Sequence, residues 1–181
     1  MILGRLFAQM PDQKKSKDAA ISSLEIMNRK SKIDSMGDEG LKPSEVKGEI
    51  KFEDVHFKYP TRHNKILKGL NLTVNPDETT ALVGQSGCGK STTIQLLLRF
   101  YDIKKGKITL DGVDIKDLNI KWLRAQIGLV SQEPVLFNCS IYDNICFGDV
   151  SRDDIPMSEV VEVARQANIQ EKVENLPDVY I

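Results

Sequence analysis

The feature that most constrains the fold of this chain is the glycine-rich stretch at residues 84–91, Gly-Gln-Ser-Gly-Cys-Gly-Lys-Ser. It matches the pattern GxxxxGK followed by Ser or Thr, in which a tight loop joins a β-strand to an α-helix. A short β-favouring run, Thr79 to Val83, precedes the loop, and apolar residues at helical spacing follow it between Lys90 and Phe100. These neighbours predict a strand, a phosphate-binding loop and a helix in an α/β fold.

The residue types in this loop suit a nucleoside triphosphate with Mg²⁺. Gly84, Gly87 and Gly89 carry no Cβ, so the backbone N–H groups can approach phosphate oxygens closely. A helix that begins at Lys90 directs its free N–H groups at the same anion, and the Lys90 ammonium can reach the β- and γ-phosphates. The Ser91 hydroxyl is placed to ligate Mg²⁺. The candidate nucleotide-binding residues here are Gly84, Gln85, Ser86, Gly87, Cys88, Gly89, Lys90, Ser91 and Thr92.

Alternating apolar residues predict β-strands on both sides of this loop. Ile50 to Phe57 and Leu70 to Val74 alternate before it. Asp111-Gly112 joins two further apolar runs, 108–110 and 113–115, and this dipeptide favours a two-residue hairpin. A last strand is predicted at residues 127–130.

Helical patterns occur at both ends of the chain. Residues 18–30 carry an apolar stripe, residues 118–126 form a second predicted helix, and residues 158–176 have helical composition. The stripe of the first helix comprises Ala20, Leu24 and Met27, and that of the last region comprises Val160, Val163, Ala164 and Ala167. Residues 31–47 have no period, so we expect a helix and linker at 1–47 and a globular unit at 48–181.

Composition narrows the class of protein. The 181 residues are 40% hydrophobic, which is typical of a globular domain. Lys and Arg total 25 against 26 Asp and Glu, so no large positive field favours nucleic acid as a partner. The spacing of Cys88, Cys139 and Cys146 predicts free thiols in a reducing compartment. Arg5 interrupts the apolar start, so no membrane-spanning helix is expected here.

The type of nucleotide-binding protein is indicated by segments outside the loop. GTPases carry DxxG and NKxD downstream of the loop, whereas residues 34–37 lie upstream and residues 64–67 lack the aspartate. Tyr59-Pro60-Thr61-Arg62, residues 66–70 and residues 130–134 resemble ATP-binding-cassette exporters. Residues 86–92, 122–124 and 132–137 are most similar to P-glycoprotein-like multidrug exporters, and residues 139–141 and 148–149 resemble their second cassette. The resemblance runs from residue 48 to residue 181.

This resemblance implies a truncated phosphate-loop nucleoside triphosphatase fold of ATP-binding-cassette type, with an antiparallel β-subdomain and the start of a helical subdomain. It implies that Tyr59 stacks on adenine, with Arg62 beside the same site. Gln132 matches the glutamine-loop residue, which approaches Mg²⁺ and acts with Lys90 at the γ-phosphate. Leu136 and Phe137 match a surface that receives coupling helices.

The resemblance also implies partners and a location. We expect a second nucleotide-binding domain, transmembrane domains that contact the cassette through coupling helices, and a small-molecule transport substrate bound elsewhere. The cassette would lie on the cytoplasmic face of a membrane as part of an integral transporter. The transported substrate, and whether the parent is a full or a half transporter, do not follow from these residues.

Several family motifs are absent from the sequence. After Gln132 there is no LSGGQ-like signature and no apolar run followed by Asp-Glu, and both His56 and His63 precede the loop, unlike the family's switch histidine. We therefore expect ATP binding without hydrolysis, and poor solubility, for the chain alone. A non-hydrolysing nucleotide-binding or interaction fragment stays open as an alternative. A small phosphate-loop kinase ranks lower, because residues 151–176 contain only Arg152 and Arg165 for an arginine-rich lid.

Overall fold

The fold is seen in a computed structural model of the protein, which describes residues 10–149, 151–152, 154–177 and 180. The chain divides into two compact units between Leu123 and Arg124. The elements are α1 (Met10–Met27), β1 (Ile50–Phe57), β2 (Leu67–Val74), α2 (Lys90–Leu97), β3 (Lys105–Leu110), β4 (Val113–Asp114), α3 (Ile120–Ala125), α4 (Ile141–Cys146), α5 (Met157–Gln166) and α6 (Gln170–Glu174).

The first unit contains a four-stranded antiparallel sheet in the order β2-β1-β3-β4. Phe52, Val55 and Phe57 of β1 are buried, although Phe52 and Val55 are three residues apart. The register shifts between these two residues, where Asp54 adopts a φ of 45°. This β-bulge adds one residue to β1, and so brings both side chains to the core face. The antiparallel β-subdomain predicted from sequence is confirmed.

The hairpin between β3 and β4 is also confirmed. Asp111 has a φ of 51° and Gly112 a φ of 80°, and the type I′ turn requires positive φ at both positions. The Asp111 carboxylate accepts hydrogen bonds from the N–H groups of Lys47, Gly48 and Glu49, at 2.8, 3.3 and 2.8 Å. Burial raises the pKa of Asp111, but these hydrogen bonds outweigh it and hold that pKa below its usual value. The turn thereby fastens the end of the linker to the sheet.

Two predicted strands are wrong. Residues 79–83 and 127–130 are not strands in the structure, and neither segment has a ladder partner among the described residues. Val83 is 92% exposed and Val130 is 98% exposed. A β-strand needs a hydrogen-bonded neighbour, so β-favouring residues alone do not make one.

The predicted N-terminal helix is present as α1, and its apolar residues are exposed: Ile21 by 44%, Leu24 by 54% and Met27 by 78%. The linker after it forms no helix or strand, but Leu41 makes an isolated parallel bridge with Leu118. The boundary between residues 47 and 48 stays a prediction. None of the helices in the described ranges is long and apolar enough to cross a membrane.

The second unit packs α4, α5 and α6 around a small core. Its buried residues are Ile155, Val160, Ala164, Val173 and Tyr180. Two residues of the predicted apolar face, Val163 and Ala167, are exposed instead. Val163 lies on α5 but outside its buried face, which carries Val160 and Ala164, whereas Ala167 lies beyond the last residue of α5, Gln166. Helix α4 was not expected, although Ser140 caps it by accepting a hydrogen bond from Asp143 N–H, which is a recognisable start signal.

Candidate nucleotide-binding site

The phosphate loop has the backbone that its glycines predict. Gly87 has a φ of 81°, and Gly89, the N-cap of α2, has a φ of 104°. Residues other than glycine rarely adopt these backbone angles. Gly84 serves another purpose, since a Cβ at this position would lie 2.8 Å from the Cys88 Sγ. The loop therefore depends on glycine for conformation at positions 87 and 89 and for close approach at position 84 and, beside Leu67, at position 89.

The Lys90 ammonium is held by the loop itself. Its Nζ donates to the carbonyl oxygens of Gly84 and Gln85, at 2.7 and 2.9 Å. Its third contact is the Cys88 Sγ at 3.6 Å, and a thiol is a weak acceptor. A phosphate oxygen can replace the thiol as acceptor of the third Nζ–H, and both hydrogen bonds to the carbonyl oxygens then stay intact. The positive charge is thus positioned before it meets an anion.

The N-terminus of α2 adds N–H groups to this charge. The first turn of the eight-residue helix contains no acidic residue, and no side chain caps it. Among the described hydrogen bonds, none comes from the N–H groups of Gly89, Lys90 or Ser91. The unpaired N–H groups and the helix dipole favour an anion at this end. The exposed Ser91 side chain lies in the same turn, and its role in binding Mg²⁺ stays a prediction.

In the part of the chain that the structure describes, no cluster of acidic, histidine or cysteine side chains supplies a metal site by itself. Within the described ranges, no group of three or more His, Cys, Asp or Glu residues could hold a metal ion. A hydroxyl together with phosphate oxygens is the donor set that suits Mg²⁺ at such a loop. Ser91 fits that chemistry as a single hard oxygen ligand.

Tyr59 is tied to the helix that follows the loop. Its hydroxyl lies 2.9 Å from the Thr92 Oγ1 and donates to the Gln95 Oε1 at 2.7 Å. The Thr92 side chain is buried, so this hydroxyl faces Tyr59, and a phosphate contact from Thr92 would come from its backbone N–H. The Arg62 guanidinium lies over the Tyr59 ring at 5.6 Å, within cation–π distance.

Aromatic neighbours also hold the Tyr59 ring. Phe57 and Tyr101 meet it edge to face, with centroid distances of 4.9 and 5.1 Å. Sequence reasoning missed Tyr101 and Gln95 as supports of this residue. Thr92 and Gln95 are three residues apart on α2 and so share one face. That spacing indicated that one side chain could contact both.

Eight of the eleven predicted site residues of the first unit line one open cavity of about 450 Å³, a size typical of small-ligand sites. Its lining comprises Tyr59, Arg62, Ile66, Ser86, Gly87, Gly89, Lys90, Ser91 and Thr92. The other three, Gly84, Gln85 and Cys88, do not line it but contact the Lys90 ammonium. A larger cavity of about 760 Å³ has linker residues on one side and contains none of the loop.

Gln132 belongs to the second unit, where its side chain is exposed. Leu136 and Phe137 are exposed by 77% and 63%. Asn144 of α4 pins this segment, since it accepts from Phe137 N–H at 2.8 Å and donates to the Phe137 carbonyl at 3.1 Å. The roles of Gln132, Leu136 and Phe137 stay predictions.

Comparison with known proteins agrees with this geometry. The sequence profile of the family described as ABC transporter matches residues 67–179. Human ATP-binding cassette sub-family B member 5 is 46% identical over 181 residues, and Multidrug resistance protein pgp-1 of Caenorhabditis elegans is also 46% identical. Each match covers 99% of this chain and 14% of the relative.

A solved structure extends the comparison to the fold. A bacterial Atm1-family ABC exporter with ATP bound aligns with a TM-score of 0.79 and 33% identity, over 92% of this chain and 29% of that one. The coverage of 14% means that the chain spans about one seventh of the length of the curated relatives that it matches. On the profile match, the relatives and the shared fold, this chain belongs to the ABC transporter family, in the neighbourhood of its multidrug exporters.

Proposed function

We propose that this chain supplies the ATP-gripping portion of an ATP-driven exporter. The observation that carries the proposal is the Lys90 ammonium, held at 2.7 and 2.9 Å by two loop carbonyls beside the N-terminus of α2. A fixed cation and a row of free N–H groups form an anion site that suits the phosphates of ATP. Similarity to ABC exporters selects ATP among the phosphate-bearing ligands.

The site residues take separate roles in this proposal. Lys90 would neutralise the β- and γ-phosphates, while Ser91 would hold Mg²⁺, which would offset further phosphate charge. Tyr59 stacks on adenine, an interaction that any flat base can satisfy. Arg62 already lies over that ring, so a stacked base and the guanidinium would share or exchange its faces. Gln132, which matches the family's glutamine-loop residue, would approach Mg²⁺ and the γ-phosphate.

The same proposal includes the rest of a transporter. Paired cassettes would enclose ATP between them, and transmembrane domains would receive the resulting movement through coupling helices, for which the exposed Leu136 and Phe137 are candidate contacts. Efflux of small hydrophobic compounds is the activity suggested by the multidrug relatives. Such a cassette works at the cytoplasmic face of a membrane.

The alternative is a chain that binds nucleotide without hydrolysing it, or that acts only through contacts with other proteins. Phosphoryl-transfer sites obtain most of their rate from positioned groups around the γ-phosphate. In the family these groups come from an apolar run followed by Asp-Glu and from the signature motif, and this sequence contains neither after Gln132. We therefore expect this chain alone to bind ATP and to release no phosphate above background.

Equilibrium ATP binding separates an ATP-gripping chain from one that acts only through contacts with other proteins, and phosphate release on the same sample tests whether the absent motifs prevent turnover. We expect Mg²⁺-dependent ATP binding that Lys90→Ala abolishes, and no turnover. Lys121→Ala is the matched control, because it removes the same charge from an exposed position outside the cavity. Turnover by the pure chain would contradict the argument from the absent motifs. Absence of binding would leave only the interaction fragment.

A further inference from the structure

Part of the linker is docked onto the first unit. Residues 37–41, here named the strap, run beside residues 117–119. The Leu41 N–H donates to the Asp117 carbonyl at 2.8 Å, and the Asn119 N–H donates to the Leu41 carbonyl at 2.9 Å. These two hydrogen bonds form the isolated parallel bridge between Leu41 and Leu118. The strap is therefore attached by backbone pairing of the kind that joins strands.

Asn119 fastens the strap with its side chain. This residue is 1% exposed, and its Nδ2 donates to the carbonyl oxygens of Gly37 and Glu39, at 3.1 and 2.9 Å. Its Oδ1 accepts from the Trp122 N–H at 2.9 Å, at the start of α3. A buried amide is costly unless it is paired, and here both ends are used. One side chain thus joins the strap to the start of a helix.

Gly40 lets the strap approach this closely. Its φ is 101°, and a Cβ at this position would lie 2.6 Å from the Asn119 backbone nitrogen and 2.7 Å from the Leu118 carbonyl carbon. Backbone atoms cannot yield as a flexible side chain can. Any larger residue at position 40 would therefore push the strap away from residues 118–119.

The segment that holds the strap also contacts the end of the phosphate-loop helix. Arg99 follows α2, and its guanidinium donates to the Lys116 carbonyl at 3.0 Å. Lys116 lies one residue before Asp117, whose carbonyl accepts the Leu41 N–H. A continuous set of hydrogen bonds thus leads from the end of α2, through residues 116–119, to the strap.

We propose that Asn119 and the strap couple the linker to the ATP site, so that nucleotide binding at the loop and docking of the linker stabilise each other. This proposal rests on the proposed function, because it requires ATP at the loop. Coupling between two sites is reciprocal: if ATP favours the docked strap by some factor, docking favours ATP by the same factor. The strap would then transmit movement between α1 and the cassette in addition to the covalent connection.

The test measures amide hydrogen exchange at Leu41 and Asn119 by NMR, with and without ATP and Mg²⁺, alongside ATP affinity in the same samples. Asn119→Asp keeps an oxygen that accepts from the Trp122 N–H and remains a good helix cap. It replaces the Nδ2 donor with an oxygen, which would repel the carbonyl oxygens of Gly37 and Glu39. Loss of two hydrogen bonds should speed exchange by about tenfold to hundredfold. Gly40→Ala should also speed exchange, because its Cβ would push the strap away from residues 118–119. Glu39→Ala is the control, because it keeps the backbone carbonyl to which Asn119 donates.

We expect ATP to slow exchange at both amides in the unaltered chain and in Glu39→Ala. In a release variant whose two amides have no protection with or without ATP, ATP affinity should be lower by the factor by which ATP slows exchange in the unaltered chain. If ATP binds and exchange is unchanged, coupling is refuted while the proposed function stands. If ATP does not bind at all, both proposals fail. Should Asn119→Asp not fold, Gly40→Ala decides the outcome.

Discussion

Replacing Gly89 by alanine introduces two separate penalties that the structure allows to be estimated. The φ of 104° costs a residue with a Cβ about 1–2 kcal/mol. The new Cβ would also lie 2.7 Å from the Leu67 Cδ2 and 3.2 Å from the Ile66 Cγ2, and overpacking of this kind costs about 1–3 kcal/mol. The expected loss is about 2–5 kcal/mol, a large part of the stability of a typical domain.

Gly87→Ala is the matched comparison, because it carries only the first penalty. Gly87 has a φ of 81°, but a Cβ there would meet nothing within 4 Å, so the expected loss is about 1–2 kcal/mol. Urea unfolding followed by the fluorescence of Trp122, the single tryptophan, reports on the unit that contains both glycines. Equal losses for the two variants would show that Gly89 does not pack against Leu67 as described.

Three further perturbations test other parts of the structure. Tyr59→Ala should weaken ATP and GTP binding to a similar degree in equilibrium titrations, because a stacking platform does not read the base; an unchanged affinity would remove Tyr59 from the site. Asp111→Asn should lower the free energy of unfolding by about 1–3 kcal/mol in urea titrations, since it weakens the hydrogen bonds from residues 47–49 while tolerating positive φ; an unaltered midpoint would contradict that anchoring role. Hydrogen bonds from Ser151, together with the neighbouring Arg152, lower the pKa of Asp149 from 3.8 to about 2, so its contribution to stability is present above pH 3.8 and is lost as the pH falls toward 2. Ser151→Ala should raise the NMR titration midpoint of Asp149 toward 3.8, and a midpoint that stays near 2 would refute this cause.

Features that depend on local backbone chemistry were predictable from sequence. The start of α2 at Lys90 follows from the glycine-rich loop, and the Asp111-Gly112 turn follows from two residue types that tolerate positive φ. Five residues of the phosphate loop also line one cavity. In each case the information lies within a few neighbouring residues.

Features that depend on distant partners were not predictable. Residues 79–83 and 127–130 have strand-forming composition, but their conformation is decided by whether another strand pairs with them. The bulge at Asp54 obscured which apolar residues of β1 share a face. Asn119 resembles an ordinary helix cap in sequence, and its bonds to Gly37 and Glu39 span 82 and 80 residues.

The central claim, that residues 84–91 grip the phosphates of ATP, is tested most directly by calorimetric titration with ATP, inorganic tripolyphosphate and adenosine in the presence of Mg²⁺. We expect ATP to bind best, tripolyphosphate to bind measurably, and adenosine to bind far more weakly, with Lys90→Ala removing the binding of both phosphate ligands. Adenosine that binds as tightly as ATP, or ATP that binds Lys90→Ala unchanged, would contradict the account.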